Sequence, residues 1–345
     1  MSGEPLLTGL LQRTICPTPL QTQFLRACLH GDLEAWDRWS RAVGDPKREL
    51  GNDGIGIKRL VPLLYTSLRD AGAPLDAEFL SYLRAAYVRE DLRSRTFRRV
   101  CGEALGALSE AQIPFIVLKG VSLAESAYPV WALRHCHDVD LLVEQEVLET
   151  GPAVLGEFRA YSRDKDNVMV VHPTNMPVVF HARLFEHYDD PSECFGESGE
   201  REITGVRVRV LAPHNELLHL CVHAASGRSR LMLLWVADAM FLLRDSPSLD
   251  WKAFVGAARQ TALPVYVLLR YLRDEMGAEV PAFVFEALEK QAENSRFRGQ
   301  ALRGVVSTIG YRGVIREAKG RRERLCVYGW AARQLPGIWR RRLGK

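Results

Sequence analysis

The chain has 345 residues, of which 47% are hydrophobic and 26% are charged, so a folded protein with a substantial core is expected rather than a disordered one. The net charge of +4 is small for this length and does not favour a nucleic-acid partner. The seven cysteines include no CxxC pair and so give no sign of a zinc ribbon or a disulfide framework. Because neither a secretory signal nor a long apolar span is evident, we expect a cytoplasmic protein with no membrane partner.

The first third of the chain has apolar residues at helical spacing. Helices are expected over residues 22–43, 59–71 and 75–111, and a loop containing glycine and proline over residues 45–56. We interpret residues 1–111 as a helical N-terminal region.

The pattern changes at Ile113, where short runs of branched apolar residues predict strands. Strands are expected over residues 115–118, 139–143, 167–172, 177–184 and 205–211, and helices over 121–127 and 146–158. This mixture predicts a compact α/β domain over residues 112–212. Helical spacing then resumes over residues 214–226, 231–244, 251–261, 263–276 and 281–294, and a basic tail follows. Residues 213–345 are therefore interpreted as a helical C-terminal region, and the fold class as α+β.

Two carboxylates, Asp138 and Asp140, stand two residues apart at the start of a predicted strand. Because side chains alternate between the faces of a strand, both are expected on the same face. Adjacent negative charges repel unless a cation lies between them, and Mg²⁺ (or Mn²⁺) suits such oxygen ligands. The pair therefore predicts a divalent-metal site, the alternative for this motif alone being an ordinary strand end or a surface pair.

A Lys-Gly turn precedes the pair at a predicted strand-to-helix junction. Free backbone N–H groups at a helix start receive phosphate, and Gly120 permits close approach. Lys119 is expected to add a point charge, Ser122 a hydroxyl and Arg134 a phosphate clamp. Ordinary turn chemistry is the alternative for the Lys-Gly pair.

These segments together resemble a known family. The run IPFIVLKGVSLA over residues 113–124, the Tyr-Pro at 128–129, the Leu-Arg at 133–134 and DVDLLV over 138–143 look like the uncharacterised bacterial nucleotidyltransferase family of the DNA polymerase beta-like superfamily. Residues 59–65 and 213–223 resemble its flanking helical segments, so the resemblance covers roughly residues 55–245.

The resemblance implies a nucleotidyltransferase-like mixed sheet in which Asp138 and Asp140 are catalytic ligands of two Mg²⁺ ions. A nucleoside monophosphate would pass from a nucleoside triphosphate such as ATP to an acceptor. The family often occurs beside natural-product and polysaccharide biosynthesis genes, so the expected acceptor is a small molecule or a peptide in a biosynthetic pathway. His181 and Arg183 match the family pattern on a later strand, and with His137 they are candidates for supporting the metal ligands.

One position departs from the family. The superfamily's third carboxylate is expected two residues before His181, where this chain has Val179. An aliphatic side chain neither ligates a metal nor accepts a proton, although Glu186, Asp189 or Asp190 in the following segment are alternative ligands. A rival hypothesis is therefore a catalytically degenerate module that binds nucleotide or acts as a scaffold. A weaker third hypothesis is modification of a protein or tRNA, as in toxin-like relatives.

Three residues of the C-terminal region allow structural predictions. His219 and His223 are one helical turn apart on an apolar helix, and we predict buried, hydrogen-bonded histidines there rather than a zinc site. Asp238 also lies in an apolar helix, which predicts a partner such as an arginine.

Overall fold

The computed structural model describes residues 7–52, 56–184, 192–225, 233–293 and 312–343. At its centre lies a seven-stranded mixed sheet with the strand order β3-β4-β5-β2-β1-β7-β6. The strands are β1 Ile116–Val117, β2 Val139–Leu142, β3 Arg159–Arg163, β4 Asn167–Val171, β5 Pro177–His181, β6 Gly199–Ile203 and β7 Val206–Val210. β2 runs antiparallel to β1 and parallel to β5. The start of β2, which carries the aspartates, therefore lies near the end of β1 and the Lys-Gly turn.

Helices precede and follow the sheet, so the predicted α+β class is confirmed. They are α1 Thr8–Ile15, α2 Pro19–His30, α3 Leu33–Val43, α4 Pro46–Leu50, α5 Val61–Asp70, α6 Ala77–Glu110, α7 Lys119–Ser126, α8 Val147–Val154, α9 Ser192–Glu197, α10 Pro213–Ala225, α11 Leu234–Asp245, α12 Trp251–Ala258, α13 Ala262–Met276, α14 Ala282–Ala292, α15 over residues 312–317 and α16 Gly320–Leu343. The division of the chain after residues 111 and 212 stays a prediction.

The sequence pattern placed most elements, but it differs from the structure at several. The predicted loop over 45–56 contains the short helix α4, which starts at the Asp45 cap and Pro46. The predicted helix over 146–158 ends at Val154, and β3 follows it. β3 and β6 were both missed because they are the outer strands of the sheet and are largely exposed, so neither shows an apolar run.

The two faces of the sheet contact different helices. Val117, Leu141 and Val143 face a core that includes buried side chains of α6 and α8. Ile116, Leu118 and Leu142 face the opposite way, into a core shared by the N-terminal helices and by α10 to α14. Because side chains alternate along β2, Asp140 lies on the same face as Leu142, towards the second core. None of the helices in the described ranges is both long enough and apolar enough to cross a bilayer.

Candidate active site

Asp140 lies at the base of the candidate site and is almost completely buried. Its Oδ2 is 3.1 Å from Nζ of Lys119, and its Oδ1 is 2.8 Å from Nε2 of His181. Burial alone would raise the pKa of Asp140, but the positive charges of Lys119 and His181 outweigh burial and hold it well below its usual range. Asp140 is therefore a fixed negative charge at neutral pH.

Asp138 immediately precedes β2, and its side chain is 26% exposed. Partial burial and the negative charge of Asp140 raise the pKa of Asp138 to about 6. The two carboxylates thus lie close enough to repel each other, as the alternation of side chains requires. His137 Nε2 is 3.2 Å from Asp138 Oδ2. Partial burial and the nearby positive charges of Arg59 and Arg134 lower the pKa of His137, although its side chain is 47% exposed.

His181 connects Asp140 to β4. Its second ring nitrogen, Nδ1, is 2.7 Å from Oδ1 of Asn167. The Asn167 amide nitrogen donates to Asp164, which leaves the amide oxygen facing His181. Both nitrogens of His181 therefore face acceptor atoms, and this chain of contacts fixes the ring against Asp140.

Lys119 occupies the turn between β1 and α7 with a φ of 23°. This region is rarely adopted by residues other than glycine, and such strain costs on the order of 1–3 kcal/mol. The turn is held by a hydrogen bond from the Leu118 N–H to the Asp140 carbonyl and by the Lys119–Asp140 ion pair. The strained backbone thus places a lysine ammonium directly against the carboxylate pair.

Gly120 and Arg134 meet behind this turn. A Cβ atom at Gly120 would lie 3.0 Å from Nη1 of Arg134, so the structure gives this glycine a packing role beside Arg134. The Arg134 guanidinium is buried and makes two hydrogen bonds to Asp238, of 3.1 and 2.7 Å. Burial disfavours the charged guanidinium, but Asp238 more than compensates and raises the pKa of Arg134 above its usual range. The partner predicted for Asp238 is therefore an arginine.

Arg134, which was predicted to bind phosphate, thus bonds to groups of the protein instead. Arg134 Nη1 also donates to the His135 carbonyl, and the Tyr128 hydroxyl donates to Asp238 at 2.8 Å. Because its donors bond to Asp238 and the main chain, Arg134 stabilises the Lys119–Gly120 turn by packing against Gly120. Phosphate binding by Arg134 stays a prediction, and it requires this buried pair to open.

The remaining predicted residues lie in two places. Ser122 is buried on α7 and lines a cavity on the side of the helix near β6 and β7. Arg183 Nε is 3.1 Å from Asp166, beyond the end of β5. The structure therefore gathers Lys119, Asp138, Asp140, His137 and His181 into one cluster and leaves Ser122, Arg134 and Arg183 outside it.

Val179 stands directly beside Asp140. The two residues are register partners in the parallel pair of β2 and β5, so their side chains share one face of the sheet. Val179 is buried, yet it belongs to neither apolar core. The position where the resemblance implies a third carboxylate therefore lies beside Asp140 and holds Val179. Glu186, Asp189 and Asp190 lie outside the described residues.

Helix α10 lies along a second side of the candidate site. The helix was predicted from the sequence, but its position beside the site was not. Glu216, His219 and His223 follow at intervals of three and four residues and so share one helical face. Burial and the charge of Lys119 hold the pKa of His219 well below its usual value, and the charge of Lys119 also lowers the pKa of His223. The negative charge of Asp140 acts in the opposite direction on both pKa values, but both rings are neutral at pH values near 7. His219 is buried as predicted, but His223 is exposed, so that part of the prediction is wrong.

Glu216 is the third residue of this face and is 2% exposed. Burial and the negative charge of Asp238 raise the pKa of Glu216 to about 8, although the backbone N–H of Lys119 favours the charged form. Neither carboxyl oxygen completes a hydrogen bond with the described residues. The spacing of Glu216 relative to the two histidines was visible in the sequence, but its proximity to Lys119 was not.

The cluster fits one divalent cation better than two. Mutual repulsion between Asp138 and Asp140 would be relieved by a cation between them. Within the described part of the chain, however, no group of three His, Cys, Asp or Glu side chains is arranged to hold a metal ion. Val179 offers no ligand, and the two oxygens of Asp140 already contact Lys119 Nζ and His181 Nε2, so at least one of these side chains must move for Asp140 to bind a cation.

Fold and site together define an α+β protein with a carboxylate pair facing a strained lysine turn at the start of a helix. A family model described as uncharacterised nucleotidyltransferase matches residues 57–306, and the chain belongs to this family. A comparison with curated proteins found no match. Among solved structures, the chain is similar to an antigenic nucleotidyltransferase-like protein from Paracoccidioides brasiliensis, with 13% identity, a TM-score of 0.34, and coverage of 55% of this chain and 96% of that one. At that TM-score the likeness does not bear on function.

Proposed function

We propose that this chain is a Mg²⁺-dependent (or Mn²⁺-dependent) enzyme that moves a nucleoside monophosphate from a nucleoside triphosphate to a hydroxyl of a small molecule or peptide in a biosynthetic pathway. Membership of the nucleotidyltransferase family supports a nucleotide substrate. The observation that carries the proposal is the Asp138–Asp140 pair beside the Lys119 turn, because a bound cation would relieve the mutual repulsion of the two carboxylates.

A divalent cation held by this pair would neutralise charge that develops on the phosphates. Asp140 and Asp138 would supply its carboxylate ligands, and His181 would orient Asp140 through its hydrogen bond, while the His137 ring lies 3.2 Å from Asp138. Lys119 lies at the start of α7, where it can offer its ammonium to a phosphate oxygen once Asp140 binds the cation. The α7 amides add the positive end of a helix dipole.

The substitution Asp138→Asn tests this proposal. It removes one carboxylate charge while keeping the size of the side chain, so we expect Mg²⁺-dependent binding of ATP to fall below detection by calorimetry. Asp245→Asn is a suitable control, because Asp245 lies at the end of α11 and pairs with Arg201 at 3.5 Å. Wild-type Mg²⁺-dependent binding in the Asp138 variant would remove the pair from the mechanism.

A second candidate function is supported by Val179. A chain that lacks the third carboxylate beside Asp140 is compatible with nucleotide binding without transfer, as in a sensing or scaffolding module. Release of pyrophosphate from ATP and Mg²⁺ separates the two candidates once an acceptor is supplied. Binding with no release, across a panel of hydroxyl-bearing acceptors, favours the module.

Restoring the carboxylate at this position gives a gain-of-function prediction. In Val179→Asp the new carboxylate joins Asp140 on the same face, so we expect affinity for Mn²⁺ to rise by about tenfold or more, equivalent to roughly 1.4 kcal/mol. Mn²⁺ is followed by its paramagnetic resonance signal, without nucleotide. Val179→Asn is the matched control, because it adds a neutral oxygen of similar size and should gain much less. Equal affinity of wild type and Val179→Asp would show that position 179 does not face a cation.

A further inference from the structure

One face of the sheet continues from Asp140 across β5, β4 and β3. Register partners in neighbouring strands point to the same side of a sheet. The row that begins at Asp140 continues through Val179, Met169 and Ser162. The strand order places β1 and the Lys119 turn on one side of β2, and β5, β4 and β3 on the other. The row therefore leads away from the turn, and β3 lies roughly 14 Å from β2 at about 4.8 Å per strand.

The apolar side chains of this row lie outside both apolar cores. The opposite face of β4 and β5 packs with α8 in one core, through Val168, Val170, Val178 and Phe180. Met169, Val171 and Val179 belong to neither core of the residues that the structure describes. Met169 is only partly buried, and Ser162 at the end of the row is exposed. Met169, Val171 and Val179 thus form an apolar strip that begins beside Asp140.

Arg159 lies at the far end of the strip. It is the register partner of Val171, so its side chain lies on the same face as Met169. Arg159 is exposed, and no carboxylate within the described ranges pairs with it. Arg163, on the same strand, instead pairs with Glu149 of α8 on the opposite face, because a register shift lies between the two arginines. The strip therefore ends at an uncompensated positive charge, three strands away from Asp140.

The position of the strip relative to the Lys119 turn also matters. In nucleotidyl transfer the attacking and leaving oxygens lie roughly in line across the phosphorus atom. The proposed function places the phosphates at Lys119 and the start of α7, on the β1 side of Asp140. An attacking hydroxyl would then approach from the opposite side, which is the side of β5 and the strip.

We propose that the strip binds the acceptor, and that the acceptor is a carboxylic acid whose apolar chain carries a hydroxyl group at its other end. The chain contacts Met169, the carboxylate pairs with Arg159, and the hydroxyl reaches the Asp138–Asp140 pair. In the transfer, the hydroxyl oxygen bonds to the α-phosphorus and its proton passes to water. Pyrophosphate leaves with the electron pair of the broken P–O bond. The role of this acid as acceptor rests on the proposed function, but its binding to the strip does not.

The first test measures binding to the full chain without nucleotide, by ligand-observed NMR titration. The probes are 12-hydroxydodecanoate, whose extended chain matches the span from β2 to β3, its methyl ester, and 6-hydroxyhexanoate. We expect the long acid to bind and the other two probes to be weaker by about tenfold or more. The ester lacks the charge that pairs with Arg159, and the short acid lacks six methylene groups of apolar contact.

Three variants locate the bound acid. Arg159→Gln should weaken the long acid to the level of its ester. Arg163→Gln is the matched control, because it removes the same charge from the opposite face of β3, and it should bind the acid as wild type does. Met169→Gln keeps the length of the side chain but adds an amide to the strip, so it should weaken the acid and the ester alike.

No binding of the long acid to wild type, equal binding of the acid and its ester, or equal losses in Arg159→Gln and Arg163→Gln would each overturn the proposal. With ATP and Mg²⁺, 12-hydroxydodecanoate should support release of pyrophosphate and dodecanoate should not. Binding of the acid and of ATP without this release would refute the acceptor role.

Two further outcomes separate this inference from the proposed function. If the acid binds through Arg159 while wild type does not bind ATP with Mg²⁺, the transferase proposal fails and the assignment of the strip stands. If Mg²⁺-dependent binding of ATP is present and the acid does not bind, the assignment of the strip alone fails.

Discussion

Arg134→Met is expected to destabilise the protein by about 3–5 kcal/mol, because it leaves the buried Asp238 carboxylate without its cation. Arg134 and Asp238 are 8% and 3% exposed in their side chains, and two hydrogen bonds join them. The pair joins the segment before β2 to α11, which is 104 residues further along the chain. The midpoint of urea unfolding, followed by circular dichroism, measures the effect.

Two variants distinguish loss of this pair from general damage. Tyr128→Phe removes one neutral donor to Asp238 and should cost about 1 kcal/mol. Arg99→Met breaks an exposed ion pair with Glu103 on α6 and should cost less than about 1 kcal/mol. If Arg134→Met costs no more than Arg99→Met, then Asp238 has found water or another partner, and the support of the turn by this pair is refuted.

The five strands that were predicted from the sequence are those with a neighbouring strand on both sides. β1, β2 and β5 lie inside the sheet, and burial on both faces leaves continuous branched apolar runs. β3 and β6 have a partner on one side only and mostly exposed side chains, so polar residues suffice there and no pattern marks them. The sequence therefore predicts the centre of this fold better than its edges.

The residues of the site divide in a similar way: the roles of some follow from the neighbouring sequence, and the roles of others depend on residues far along the chain. The shared face of Asp138 and Asp140 follows from alternation within one strand. The family pattern singled out Val179, and the structure adds that its register partner is Asp140. Arg134 was interpreted as a phosphate ligand because its partner, Asp238, is remote in sequence. Glu216 was missed for the same reason, since only the packing of α10 against α7 brings it to Lys119. Roles set by long-range packing are thus the ones that sequence spacing does not reveal.

The second large effect is expected for Glu216→Gln, which should be more stable than wild type at high pH. The pKa of Glu216 rises from 4.5 to about 8 on folding, so between these pH values the folded chain keeps a proton that the unfolded chain has released. The wild type should therefore lose stability as pH rises through this window, by on the order of 4 kcal/mol in total from this residue. Glu216→Gln cannot ionise and should escape the loss.

Thermal unfolding at about pH 5 and about pH 9 tests the difference. At the lower pH the variant should match wild type within about 1 kcal/mol, because the folded protein holds Glu216 protonated there and the unfolded chain gains little by ionisation. At the higher pH the variant should unfold at a clearly higher temperature, while Glu103→Gln should not. An equal shift at both pH values would mean that the substitution acts through packing alone. A gain confined to high pH would mean that ionisation of the buried Glu216 carboxyl group weakens the fold.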